Sequence, residues 1–309
     1  MNKKLIFAVL ALAAVALTFI IINRTDGLER TASESDKIVA LSTFTILSDM
    51  VSEVGGDKVE ALSLTKPGAE VHGYQPTPSD LIQASRAQVI FENGLGFEMW
   101  TEKLRSSIPN VPIVTASEGV AVIDITEDAY AGRPNPHAWM SPTQGLVYVE
   151  NIRQALTEIA PEHADYFATN AAAYSERIIE VASRLETSLA TLPEENRVLV
   201  TCEGAFPYLA SDYGLEEVYL WATNSDAEGT PQQVARVIQT VREKQVPAVF
   251  CESTVEPRIQ REVVAATDAR LGGLLYVDSL SAADGPAPTY LTLLEHTVNT
   301  IISGLTETQ

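Results

Sequence analysis

Two periods of apolar and polar positions alternate along this chain. Short β-branched runs at Ile38–Thr43, Val59–Thr65, Ala87–Glu92 and Pro112–Ala116 read as strands. Between them, Ile46–Val54, Thr77–Ser85 and Gly96–Ser106 carry helical spacing. The second half repeats the rhythm, with strands expected at Val198–Thr201, Glu217–Trp221, Ala248–Cys251 and Leu274–Val277, helices between them, and a last helix over Thr289–Ile302. Such alternation predicts an α/β fold of parallel sheets covered by helices.

The middle of the chain breaks this rhythm. From Glu162 to Leu192 there is no Gly or Pro, and Phe167, Tyr174, Ile178, Val181, Leu185 and Leu189 recur at helical spacing. The pattern predicts one amphipathic helix of roughly 45 Å at 1.5 Å per residue, bracketed by Pro161 and Pro193. It reads as a rigid connector between two α/β halves; a helix packed within one half is the alternative. Three other helix starts share one design. Thr77-Pro78-Ser79-Asp80, Ser141-Pro142-Thr143-Gln144 and Thr230-Pro231-Gln232-Gln233 each put a hydroxyl at the N-cap, Pro at the first helical position and a polar side chain two residues further on. These are stability features.

The amino terminus follows a third pattern. Lys3 and Lys4 precede a long apolar run from Leu5 to Ile22, followed by Asn23-Arg24-Thr25-Asp26. A basic segment ahead of such a run marks an exported chain. The run is near the length that spans a bilayer, so an uncleaved anchor and a removed signal are both open. The only cysteines are Cys202 and Cys251, which argues against a lipid-modified N-terminal cysteine. The expected division is residues 1–36 as signal or anchor and linker, 37–160 as a first α/β lobe, 161–193 as the connecting helix, and 194–309 as a second α/β lobe.

Composition narrows the function classes. With 309 residues, 46% hydrophobic and 20% charged, the bulk is a folded chain. A formal net charge of −20 leaves no basic footprint for nucleic acid. No phosphate-binding loop of the G-x-x-x-x-G-K-[ST] type, no H-E-x-x-H and no G-x-S-x-G elbow is present. Two cysteines in an exported chain raise the question of a disulfide, which depends on whether the fold brings them together.

Of the four histidines, His163 and His296 fall on predicted helices and invite no special role. His72 and His137 stand in loops bounded by Pro and Gly, Lys66–Pro78 and Arg133–Ser141. Stiff loops fix a side chain at low entropic cost, which suits a ligand, although a loop histidine taken alone is more often structural than metal-binding. Glu203 and Asp278 each directly follow a predicted strand, at the edge where open α/β sheets bind ligands. The four come two from each half, so they can meet only if the halves face one another across a cleft.

Several ordered segments then carry a resemblance. Pro67-Gly68-Ala69-Glu70-Val71-His72, Asn135-Pro136-His137-Ala138-Trp139, Thr201-Cys202-Glu203-Gly204-Ala205-Phe206, Glu228-Gly229-Thr230-Pro231 and Tyr276-Val277-Asp278-Ser279 resemble the metal-binding subunits of bacterial ABC importers for manganese, iron and zinc. The resemblance runs from Ile38 to the C-terminus and is strongest toward the manganese/iron branch, through Asn135–Ser141 and Tyr276–Pro286. It implies two lobes, each a parallel four-stranded sheet flanked by helices, joined by one long helix with the metal between them. It implies His72, His137, Glu203 and Asp278 as metal ligands and a Cys202–Cys251 disulfide, since some relatives carry a cystine there. In a 2-1-3-4 strand order those cysteines end neighbouring strands, and strand alternation turns Cys202 away from the side Glu203 enters.

Two imidazoles and two carboxylates favour Mn²⁺ or Fe²⁺, with Zn²⁺ as the remaining candidate. Zinc-specific relatives typically have a third histidine where Glu203 stands and a His-rich loop near Ile125–Pro134, which here has none. The implied role is extracytoplasmic capture of one divalent ion and its delivery to an ABC permease with a separate ATPase subunit. The protein would be a periplasmic monomer, not an enzyme, meeting the membrane only through residues 5–22 and by docking. The alternatives are a metal-dependent hydrolase using the same four ligands, a binding protein for a chelate or haem, and a surface adhesin role. Tyr74, Trp139, Phe206 and Tyr208 are expected to pack in the core or wall the site.

Overall fold

The protein is described by a computed structural model over residues 37–223 and 229–306. The expected N-terminal anchor and Glu228 lie outside the described residues. Among those described, no helix is long and apolar enough to cross a membrane.

The first half holds strands β1 (Ile38–Ser42), β2 (Val59–Ser63), β3 (Val89–Glu92) and β4 (Ile113–Thr115), with helices α1 (Thr45–Gly55), α2 (Pro78–Ala84) and α3 (Thr101–Ser107) between them. Their order is β2-β1-β3-β4, and β3 pairs in parallel with β1 and β4. Every residue of β3 is buried, as expected of a central parallel strand covered on both faces. Leu41, Leu64, Ala84, Ile90 and Leu104 form the adjoining core.

Helix α4 (Pro142–Ile159) leads through a 3₁₀ turn at Pro161–His163 into α5 (Ala164–Leu189). At 26 residues, α5 is about 39 Å long. All six of its periodic apolar residues are buried, together with Ala171. This stripe packs on α1, α4 and the last helix, α9 (Tyr290–Thr306). The 3₁₀ turn at one end and the C-cap at Ala190 at the other shorten the helix relative to the sequence expectation.

The second half contains β5 (Val198–Glu203), α6 (Pro207–Tyr213), β6 (Glu216–Trp221), α7 (Pro231–Glu243), β7 (Ala248–Glu252), α8 (Arg258–Ala266) and β8 (Arg270–Leu275). Its strands form two parallel ladders, β5 with β6 and β7 with β8. Strands β5 and β7 lie side by side without a continuous backbone ladder. The expected 2-1-3-4 arrangement is therefore present with a seam at its centre. The seam is bridged by the Cys202–Cys251 disulfide, with Cα atoms 5.0 Å apart. Val200, Leu220, Val237, Val249 and Val263 pack around it.

Strand β8 runs from Arg270 to Leu275, starting four residues before the expected start at Leu274. Gly272 and Gly273 lie inside it. The ring of Phe250 explains Gly272 and Gly304, because a Cβ on either would come within 2.4 Å of it. Gly273 adopts φ +142°, and the ladder shifts register between Val249 and Phe250. In consequence Tyr276 and Val277 run on past the ladder, and Asp278 stands three residues beyond the strand.

Capping boxes are complete at Thr77/Asp80 and Thr230/Gln233. At Ser141 the hydroxyl accepts from Thr143 N–H and donates to Asp212 Oδ2 at 2.5 Å, so this cap ties α4 toward α6 in place of a reciprocal box.

The disulfide closes a seam that has no backbone ladder of its own. Replacing Cys202 and Cys251 together by Ser is expected to lower the unfolding free energy by about 2–4 kcal/mol. Chemical denaturation checks this, and an unchanged midpoint and slope would contradict a structural role for the bridge.

Candidate metal centre

Four side chains from four segments converge. His72 leaves the loop after β2, His137 precedes a 3₁₀ turn at Ala138–Met140, Glu203 ends β5, and Asp278 follows β8. One donor atom from each lies within 4.8 Å of the others. His72 Nε2 is 3.3 Å from Glu203 Oε1, 3.4 Å from His137 Nε2 and 3.9 Å from Asp278 Oδ2. His137 Nε2 is 3.6 Å from Glu203 Oε1 and 3.4 Å from Asp278 Oδ1. Four donors held about 2.0–2.2 Å from one ion in a tetrahedron would be about 3.3–3.6 Å apart; four of these five spacings fall in that range and the fifth, His72 to Asp278, is longer. The side chains of His137, Glu203 and Asp278 are completely buried, and that of His72 is 5% exposed.

Each donor is held from behind. His137 Nδ1 lies 3.0 Å from Asn135 Oδ1, and its backbone N–H donates to the same oxygen. Asn135 in turn donates to Gly204 O at 2.7 Å. With Nδ1 as the donor, this assignment leaves the Nε2 lone pair aimed at the cluster. Burial holds His137 below its ordinary pKa, against the pull of Asp278. The shift favours the neutral imidazole, the state a metal ligand requires. His72 is fixed by its backbone N–H to Glu70 Oε1, by Trp100 Nε1–H donating to Val71 O, and by the edge of Phe97 at 4.7 Å. The Glu203 carbonyl accepts from the Thr201 hydroxyl. Trp139 Nε1–H donates to Val277 O, one residue before Asp278.

The aromatic residues are structural. Trp139 packs at 5.2 Å from His137 and 4.8 Å from Phe97. Tyr208 donates to Asn135 O, Phe206 is buried, and Tyr74 donates to Asp80. His296 contacts Leu274 O and His163 faces Phe167, both away from the cluster. A cleft of about 630 Å³, lined by Phe97, Met99, Ile125, Tyr130 and Arg133 among others, reaches His72. The loop over residues 125–134 forms one wall of it.

Sequence reasoning missed Glu252. It is completely buried at the end of β7 and accepts the Glu203 backbone N–H at 3.2 Å. Burial, then the charge of Glu203, pushes its carboxyl well above the usual range. The signal was present: Cys202-Glu203 and Cys251-Glu252 are the same dipeptide at two strand ends.

A family model described as "Zinc-uptake complex component A periplasmic" matches residues 40–304. The chain belongs to this family. The iron-binding protein YfeA of Yersinia pestis is 44% identical over 304 residues, covering 98% of either chain. The manganese ABC transporter substrate-binding lipoprotein PsaA of Streptococcus pneumoniae is 32% identical, covering 98% of this chain and 99% of its own. Among solved structures, a Mn-bound periplasmic metal-binding protein from Candidatus Liberibacter asiaticus superposes with a TM-score of 0.82 at 38% identity, covering 87% of this chain and all of the other. The zinc-binding TroA of Treponema pallidum, at 23% identity and a TM-score of 0.81 over 88% of this chain and all of its own, shares the two-lobed fold. Members of this family are substrate-binding proteins of ABC importers that work outside the cytoplasm, and they are not enzymes; the hydrolase alternative has no support.

One buried acid beside the site sets a pH dependence. Glu98 accepts from Thr43 Oγ1–H and from the N–H groups of Asn93 and Gly94, and its burial pushes its pKa from 4.5 to about 7. A folded-state pKa raised in this way stabilises the fold below pH 4.5 and loses that contribution as pH rises through 7. The loss is roughly 3 kcal/mol for this group. Metal-free protein is expected to lose thermal stability between pH 5 and 7, and Glu98→Gln to flatten that slope. Equal slopes in the two proteins would contradict the assignment.

Proposed function

We propose that this protein captures one divalent metal ion between its two halves through His72, His137, Glu203 and Asp278 and delivers it to an ABC permease driven by a separate ATPase subunit. The observation that carries this reading is the buried cluster of two imidazole nitrogens and two carboxylates with donor spacings suited to one cation. Two negative carboxylates and two neutral imidazoles give a filled site near neutrality. That balance offsets the cost of burying all three charged species.

Mn²⁺ or Fe²⁺ is the favoured cargo. Carboxylates can bind through both oxygens and raise the coordination number above four, which these ions accept, whereas zinc favours a nitrogen-richer tetrahedron. The iron- and manganese-binding names of YfeA and PsaA support this preference. Zinc is still expected to compete in vitro, since affinity at most sites follows an order that places Zn²⁺ above Mn²⁺.

Delivery by small rearrangement fits the contacts between the halves. Tyr290 donates from its backbone to Asp49 and from its hydroxyl to Trp139 O, Leu280 N–H donates to Thr45, and Gly68 N–H to Ser279. Helix α5 packs on helices of both halves. These ties oppose wide hinge closure. We divide the chain at 37–160, 161–193 and 194–309 on this basis, and read it as a monomer that meets the membrane by docking and through its N-terminal segment.

Metal analysis with competitive titration of residues 36–309 is the test. One equivalent of Mn²⁺ or Fe²⁺ in the wild type, abolished in His72→Ala and in Asp278→Ala, is expected. Retained stoichiometric binding in both variants would overturn the site.

A further inference from the structure

The seam between β5 and β7 meets the metal centre at Glu203, and what holds that residue on the seam side is a side chain. In a parallel strand, successive backbone N–H groups point to opposite edges. Gly204 N–H donates outward to Trp221 O of β6 at 2.9 Å. Glu203 N–H therefore points inward, toward β7. In a continuous sheet it would find a backbone carbonyl there. It finds Glu252 Oε2 at 3.2 Å. On β7 the matching outward donor, Ser253 N–H, goes to Leu275 O of β8 at 2.8 Å. The two half-sheets thus end in register, each tied outward by backbone, and past the disulfide the Glu252 carboxyl joins them across the seam.

Other features make the placement deliberate. Glu252 is completely buried, and its second oxygen, Oε1, has no hydrogen-bond partner among the described residues. A buried acceptor left so is costly, and an apolar residue would fill the space without that cost. The disulfide crosses the seam one residue earlier, so the stretch next to it cannot drift far. The covalent bridge sets the spacing of the strands, and the carboxyl sets the direction of the Glu203 peptide.

We propose that Glu252 is a positioning residue for metal binding: by accepting the Glu203 N–H across the seam it aims the Glu203 carboxylate at the metal. It touches no cargo itself. The inference rests on Glu203 being a ligand, as proposed above.

The experiment compares full-length wild type with Glu252→Gln, Glu252→Leu, Glu252→Met and Glu203→Ala, measuring Mn²⁺ affinity by competitive titration and the bound ion by electron paramagnetic resonance. Gln keeps an acceptor oxygen, so Glu252→Gln is expected within about threefold of wild type with the same spectrum. Loss of an outer-shell partner costs about 10–100-fold in metal affinity, and Glu252→Leu and Glu252→Met are expected to show it with an altered spectrum. Wild-type affinity and spectrum in whichever apolar variant folds would overturn the proposal. So would a Gln variant as weak as the apolar ones, because the acceptor would then not be what matters. Normal binding by Glu203→Ala would overturn the ligand assignment itself, an outcome separate from failure at Glu252.

Discussion

Two carboxylates without exposed surface, placed within 4 Å of two imidazole nitrogens, are the constraint around which the rest is arranged. Such a group is unfavourable to bury unless its charge is compensated. A divalent cation, as proposed above, would supply the compensation. The four donors come from segments far apart in sequence, so the fold must bring four loop or strand ends to one point and hold them there. Parallel α/β halves do this naturally, since the carboxyl edges of their sheets collect ligand-bearing loops.

Rigidity comes from hydrogen bonds made by residues adjacent to the donors. Asn135 joins the His137 ring to Gly204 O beside Glu203. Trp139, two residues after His137, holds Val277 O next to Asp278. Histidine and acid on opposite halves are thereby linked twice without the metal. Helix α5 adds a buried stripe shared by both halves. A frame preorganised in this way would bind the proposed ion with less of the ordering cost that a mobile site would carry.

Much of this was legible in the sequence, for identifiable reasons. Continuous apolar runs marked β3, β5 and β7 because both faces are buried, and the Gly- and Pro-free stretch marked α5. His72 and His137 stood out because they lie in loops stiffened by Pro, where a side chain is held in place at little entropic cost. Strand β8 was misplaced because Gly272 and Gly273 look like a turn, whereas Gly272 is there to admit the ring of Phe250. Glu252 was missed although it follows its strand as Glu203 does, because it lies in none of the segments that carry the resemblance. The seam between β5 and β7 has no sequence signature, since it arises from how two ladders abut.

X-ray absorption at the manganese edge of the Mn²⁺-loaded protein tests the central claim most directly, because it reads the donor atoms without any substitution. A first shell of nitrogen and oxygen only, with outer-shell scattering from two imidazole rings, is the expected result. A sulfur shell, or the absence of imidazole scattering, would contradict a site built from His72, His137, Glu203 and Asp278.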